Sequence, residues 1–195
     1  MLVQFSPIRS GSTLVYNYLM GLGKQPQKLH NYRYLENVQY VIAIRHPYNA
    51  IISSILRYGQ QINTGTVMTQ MAEYLENGGY DIATSEFDPA SHCVFLYEKF
   101  YADHNVILDG LESFFNESYS TETKDELKQK LSVSNVKEKT AQFRDFYEYD
   151  RVTHLHGNHI SEFNGQTDYN TLLKEKELKM LANDEHLQRI INKYY

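Results

Sequence analysis

The chain has 195 residues with 42% hydrophobic and 22% charged, an ordinary globular composition consistent with one domain spanning residues 1–195. A single cysteine, Cys93, excludes an internal disulfide and fits a reducing, cytoplasmic setting. No apolar run approaches a membrane span, and no signal-peptide pattern precedes the first apolar segment. The net charge of −5 is uneven, because residues 1–60 carry six Lys and Arg against the single acid Glu36. That third is +5 and the remaining 135 residues −10, which points to a local anion site and away from a nucleic-acid or membrane surface.

Leu2–Phe5 reads as a short strand, followed by Ser-Pro-Ile-Arg-Ser-Gly-Ser-Thr (Ser6–Thr13) and a helix from Ser12 ending near Gly21 and Gly23. Strand, glycine-bearing loop and hydroxyl-rich helix start form the layout of a phosphate cradle. The lysine that a nucleoside-triphosphate loop carries before its Ser/Thr is replaced by Ser12, and a cation stands earlier, at Arg9. This loop is suited to a donor of lower terminal charge that needs no metal.

Pro26–His30 reads as a second strand, placing Lys28 and His30 on one face. Val38–Ile44 is near-continuously apolar and β-branched, the pattern of a strand buried on both faces of a parallel sheet. Pro47 opens a helix with an Ile51, Ile52, Ile55, Leu56 stripe, and a further helix covers Thr66–Leu75, stopping at Gly78-Gly79. Asp81–Ser91 reads as loop and His92–Tyr97 as a buried strand leading into one helix through Phe114. Thr121–Leu131 is an exposed helix, Thr153–Asn170 a loop, and Thr171–Tyr195 a terminal helix. The alternation predicts a three-layer α/β/α fold with a central parallel sheet.

Two of these motifs together resemble the sulfotransferases that use 3′-phosphoadenosine 5′-phosphosulfate (PAPS), which have a P-loop-NTPase-like fold. Pro-Ile-Arg-Ser-Gly-Ser-Thr is similar to their 5′-phosphosulfate loop. Ile44–Ser54, with Arg45 ending the strand and Ser53 eight residues on, is similar to their 3′-phosphate signature. The resemblance implies that Arg9, Ser10, Gly11, Ser12, Thr13, Arg45 and Ser53 bind PAPS, that PAP is the product, and that no metal is required. A helix cap or surface ion pair is the competing reading of Arg45.

Weaker echoes follow in order. Leu96–Phe100 is similar to a family strand ending in Tyr-Glu, which places Tyr97 near the adenine; packing at a strand end is the alternative. Asn158–Tyr169 resembles the late glycine loop over the 3′-phosphate, with Gly157, His159 and Gly165 as candidate contacts. Tyr169 stands where the family has tryptophan, and the family's Arg-Lys-Gly run is absent. Gln27–Arg33 looks like the Lys-Thr-His of cytosolic members, implying that Arg9, Lys28 and His30 carry the transfer. Glu36 is the carboxylate alternative to His30 as base. The implied acceptor is a small molecule, carbohydrate or other compound bearing a hydroxyl or amine, with its pocket expected in residues 59–91 and 140–170.

Three other readings compete: a metal site built from His154, His156 and His159, a small-molecule kinase on a degraded loop, and a nucleotide-binding module without chemistry. Composition leaves the oligomeric state open.

Overall fold

The computed structural model describes all residues except Phe146, Asn158 and 161–164. Four strands, β1 (Leu2–Phe5), β2 (Gln27–Leu29), β3 (Gln39–Ile44) and β4 (His92–Leu96), form one parallel sheet in the order β2-β1-β3-β4. Each matches an expected strand to within one or two residues. After β2 the chain crosses back over β1 to lay down β3. The topological switch therefore falls between β1 and β3, where ligands of open α/β sheets bind at the strands' carboxyl ends.

Side chains alternate across the sheet as the two-residue period requires. Val3, Phe5, Tyr40, Ile42 and Ile44 enter one core, against α2 (Pro47–Arg57), α3 (Thr64–Tyr74), α10 (Glu175–Ala182) and α11 (Glu185–Tyr194). Val41, Ala43 and Phe95 enter the other, against α1 (Ser12–Gly21), α5 (Tyr97–Ala102), α6 (Asn105–Phe115) and α7 (Thr121–Lys130). This is the expected three-layer arrangement.

Several boundaries differ from expectation. The helix expected to stop at Gly78-Gly79 does end there, since Asn77 (φ −102°, ψ 52°) and Gly78 are non-helical, but a separate short helix, α4 (Tyr80–Thr84), follows the kink, so Asp81–Thr84 is helix and not loop. Gly78 takes φ 105°, and a Cβ there would lie 2.5 Å from the His30 carbonyl oxygen and 3.0 Å from Pro7 Cα. Gly78 thus lets the chain press onto the first loop, and the short helix beyond it buries Ile82 fully. The helix expected through Phe114 breaks at Asp103-His104, where Asp103 caps Asn105 and His104 Nδ1 pairs with Tyr18 OH at 2.8 Å. Thr171–Tyr195 is likewise not one helix. Asp184 accepts from the His186 and Leu187 N–H groups and starts a new one. Like α4, α8 (Val133–Thr140), capped by Ser132, had no helix assigned in sequence, and the single turn α9 (Tyr169–Leu172) straddles the expected loop-to-helix boundary at Asn170-Thr171.

Candidate active site

The loop after β1 is tied at its root by one hydroxyl. Ser6 Oγ accepts from Gln4 Nε2 (2.6 Å) and the Ala43 N–H (3.1 Å) and donates to the Phe5 carbonyl (2.6 Å), joining β1 to β3. Arg9 then adopts φ 61° and Gly11 φ 80°, left-handed conformations that turn the chain into α1. For Arg9 this costs about 1–2 kcal/mol, a strain of the kind that collects at functional sites. Gly11 is required for a second reason. A Cβ there would lie 2.6 Å from Tyr97 Cδ2 and 2.8 Å from Phe100 Cζ, because α5 packs directly on the loop.

Two expected motifs, far apart in sequence, meet at this loop. Arg9 Nε donates to Ser53 Oγ (3.3 Å), and Arg45 Nη1 donates to the Arg9 carbonyl (3.4 Å). Arg45 is buried, stacks its guanidinium 4.3 Å over the Tyr97 ring, and donates through Nη2 to Thr167 Oγ1 (2.7 Å) and the Gly165 carbonyl (2.8 Å). It is therefore neither a helix cap nor a surface ion pair. Tyr97 OH also donates to the Gly165 carbonyl (2.9 Å), and Tyr97 stacks on Tyr101. Thr167 is anchored in turn to the Asn49 carbonyl, and the Tyr169 N–H to Asn49 Oδ1. The late segment is thus clamped to α2 one turn before Ser53.

From β2, Lys28 Nζ donates to Thr13 Oγ1 (2.8 Å) and His30 Nδ1 meets the Ser6 carbonyl (2.9 Å). A carbonyl only accepts, so His30 carries its proton on Nδ1 and keeps a lone pair on Nε2 in its neutral form. Although His30 as a residue reaches the surface, its ring is enclosed enough that desolvation, reinforced by Lys28 and Arg57, lowers its pKa; the Ser6 bond opposes this.

These residues line a cavity of about 310 Å³ that runs from Arg9, Lys28, His30, Arg45, Ser53 and Arg57 past α1 to Leu131, Val133 and Val136. His154, Leu155, His156, His159 and Ile160 line it as well. Among the described residues none of Arg9, Lys28 and Arg45 stands in an ion pair, and no Asp or Glu lines the cavity. Burial, with Arg57 and Arg45 alongside, pulls Arg9 down to about 9; burial and Arg57 pull Lys28 down to about 8. Uncompensated buried cations are costly, and they mark a place built for anions. Two enclosed polar atoms, Arg45 Nε and Ser10 Oγ, have no hydrogen-bond partner among the described residues.

Not every expectation is met. Glu36 is exposed on the β2–β3 connection and does not reach the cavity, so it is no alternative base. Gly157 lies against the Asp145 backbone, outside the lining, whereas Gly165 and His159 line it. Residues 59–91 contribute nothing to the lining, while from the expected 140–170 region Tyr149, Ile160 and Gly165 join the histidines in it. Of the late loop Asn158–Tyr169, Asn158 and 161–164 lie outside the described residues. The histidines do not gather as metal ligands, and among the described residues no group of three His, Cys, Asp or Glu is placed to hold an ion. His154 packs edge-on against Tyr16, while His156 and His159 spend nitrogens on each other. Sequence reasoning missed Arg57, Asn17, Tyr101 and Thr167. Arg57 was the most accessible, since four residues after Ser53 is the same face of a helix.

The backbone is similar to two solved structures. One is the crystal structure of mouse sulfotransferase SULT7A1 complexed with PAP, with TM-score 0.65 and 11% identity, covering 98% of this chain and 87% of that one. The other is the crystal structure of retinol dehydratase in complex with androsterone and inactive cofactor PAP, with TM-score 0.61 and 14% identity, covering 98% and 79%. No protein-family model and no curated protein matches the chain in sequence.

Proposed function

We propose that this chain, which has the fold of the PAPS-dependent sulfotransferases, is such an enzyme and transfers a sulfuryl group from PAPS to a hydroxyl or amine. The observation that carries the reading is the convergence of Arg9, Arg45 and Ser53 at the β1–β3 switch point, in a cavity whose lining, among the described residues, contains no carboxylate. The donor set fits the co-substrate. The unpartnered Nε of Arg45, which lines the cavity, calls for an acceptor atom, and a planar base suits the apolar end beside Leu14, Leu131, Val133 and Val136.

In this reading Arg45 and Ser53 hold the 3′-phosphate. Arg9, Ser10, Gly11, Ser12 and Thr13 hold the 5′-phosphosulfate, using the α1 amino terminus as well as side chains. Gly165 and Tyr97 border the nucleoside, and His159 closes the cavity from the late segment. When bound, PAPS supplies a sulfuryl group attached to a phosphate leaving group. Arg9 and Lys28 offset negative charge building on the bridging oxygen, and Lys28 is steered there by Thr13. His30 presents its Nε2 lone pair to the acceptor's proton, the tautomer being fixed by Ser6. The acceptor is a small molecule, carbohydrate or other hydroxyl-bearing compound.

Calorimetric titration with PAP and with ATP, each with and without magnesium, tests the reading. PAP should bind without metal, and Arg45→Ala should weaken it by about 2–3 kcal/mol, the worth of a buried charged hydrogen-bonding group. Preference for magnesium ATP, or no nucleotide binding, would refute it.

A further inference from the structure

Across the cavity from β2, the late segment holds a second histidine system. His156 is buried and its Nδ1 lies 2.6 Å from the Gly157 carbonyl, so Nδ1 carries the proton and Nε2 the lone pair. That Nε2 lies 3.1 Å from His159 Nδ1, with the rings crossing at 64° and centroids 4.5 Å apart. His156 Nε2 can only accept, so His159 Nδ1 donates. One backbone carbonyl thereby orders two imidazoles, and the last atom of the chain, His159 Nε2, is left with a lone pair and no hydrogen bond among the described residues. Both histidines line the same cavity as Lys28 and His30.

We propose that the His156–His159 pair is a second proton acceptor for the transfer, with His159 Nε2 meeting the acceptor hydroxyl and His156 relaying the proton. This rests on the reading that the cavity takes PAPS. The hydroxyl proton passes to His159 Nε2 as the acceptor oxygen bonds sulfur and the bond from sulfur to the leaving phosphate oxygen breaks, its electron pair remaining on that oxygen. His159 then gives its Nδ1 proton to His156 Nε2. His159 ends neutral with the proton on Nε2, and His156 ends as an imidazolium still bonded to the Gly157 carbonyl.

The surroundings make this acceptor dependent on the donor. Arg9 from the loop, Lys28 from β2 and Arg57 from α2 all bear on the pair, and His30 and His154 line the same cavity. Desolvation and these cations keep His156 down at about 4 and His159 well below the usual histidine value. An anionic donor offsets the same cations, so its arrival raises the affinity of both rings for a proton. His156 is a positioning residue here, since it acts through His159.

Imidazole nitrogen NMR on the full chain, with and without PAP, reads the arrangement without requiring an acceptor. The expected result is the Nδ1–H tautomer at both His156 and His159, with both titration midpoints rising by about one pH unit on PAP binding. An Nε2–H tautomer at His159, or midpoints unmoved by PAP that calorimetry shows to be bound, overturns the proposal while leaving the donor reading intact. Absence of PAP binding removes both. Kinetics with PAPS and a simple phenol supply the second arm. His30→Ala should lower transfer without abolishing it, and adding His159→Ala should lower kcat by a further 10²-fold or so, a larger change than its effect on PAP affinity. In the His30→Ala background, His156→Ala should cost less and shift the pH profile. A double variant as active as His30→Ala alone would refute the second acceptor.

Discussion

Replacing Lys28 with methionine should make the protein more stable while making it a worse anion binder. Methionine keeps most of the aliphatic stem and removes the charge. Lys28 is held at about 8 against an ordinary 10.5, by desolvation first and Arg57 second. At 1.36 kcal/mol per tenfold change this is a cost of about 3 kcal/mol at neutral pH. Partial access to solvent reduces it to about 2 kcal/mol. Loss of the hydrogen bond to Thr13 returns about 1 kcal/mol. The net gain is about 1 kcal/mol, or a rise in Tm of about 2–4 °C for a chain of this size. The sign depends on pH. The folded value is lowered, so between about 8 and 10.5 the unfolded chain binds more protons, and wild-type stability rises through that window. The variant lacks that rise, so its advantage at pH 7 should vanish near pH 10. PAP should stabilise the wild type more than the variant. Urea unfolding at pH 7 and 10, with and without PAP, measures all of this. A variant that is less stable at pH 7, or whose advantage persists at pH 10, would refute the view of Lys28 as an uncompensated cation.

Other consequences can be checked as directly. Gly11→Ala meets both a left-handed backbone and the Tyr97 ring, and should lose about 2–4 kcal/mol in denaturant titrations together with PAP binding; a loss under 0.5 kcal/mol would contradict the packing described. Ser53→Ala should weaken PAP less than Arg45→Ala does, since a neutral hydrogen bond is worth about 1 kcal/mol, and calorimetry ranks the two. The pH profile of kcat/KM for the donor reports the free enzyme. Because His30 is lowered by burial, the rate should hold from pH 7 down to about 6.5 and fall only below it. An acid limb centred above 6.5 would count against a neutral, enclosed histidine base. Tyr195→Phe removes the hydroxyl bonded to Glu98 Oε2 at 2.7 Å and should cost about 1 kcal/mol, read as a lower urea midpoint.

What could be read before folding was what lies local to one strand end. The glycine loop, the doubly buried Val38–Ile44 run and the Arg45 and Ser53 spacing each declare themselves within a dozen residues, and parallel-sheet topology brings their ends together. Arg57 and Thr167 were illegible for the opposite reason. Arg57 matters only through the face that α2 turns inward, and Thr167 only because Asn49 clamps a distant segment onto α2. Glu36 misled because proximity in sequence to His30 places it on an exposed connection. The three histidines misled because spacing alone shows neither the direction of a ring nor the carbonyl that fixes its tautomer. The breaks at Asp103 and Asp184 were written in residues that favour caps, but helical periodicity continued across them.

Under the proposed function, Gly78 gives the region between α2 and β4 a part in chemistry it never touches. A Cβ there would collide with Pro7 and the His30 carbonyl, and the neighbouring Asn77 carbonyl accepts the Ile8 N–H at 3.3 Å. The donor loop and the end of β2 therefore share one backstop, contributed by a segment outside the cavity. In the proposed enzyme, a displacement of the Asn77-Gly78 turn would change the spacing between the anion held by the loop and the His30 proton acceptor. A lineage of such proteins could alter its rate without altering one residue that meets a substrate.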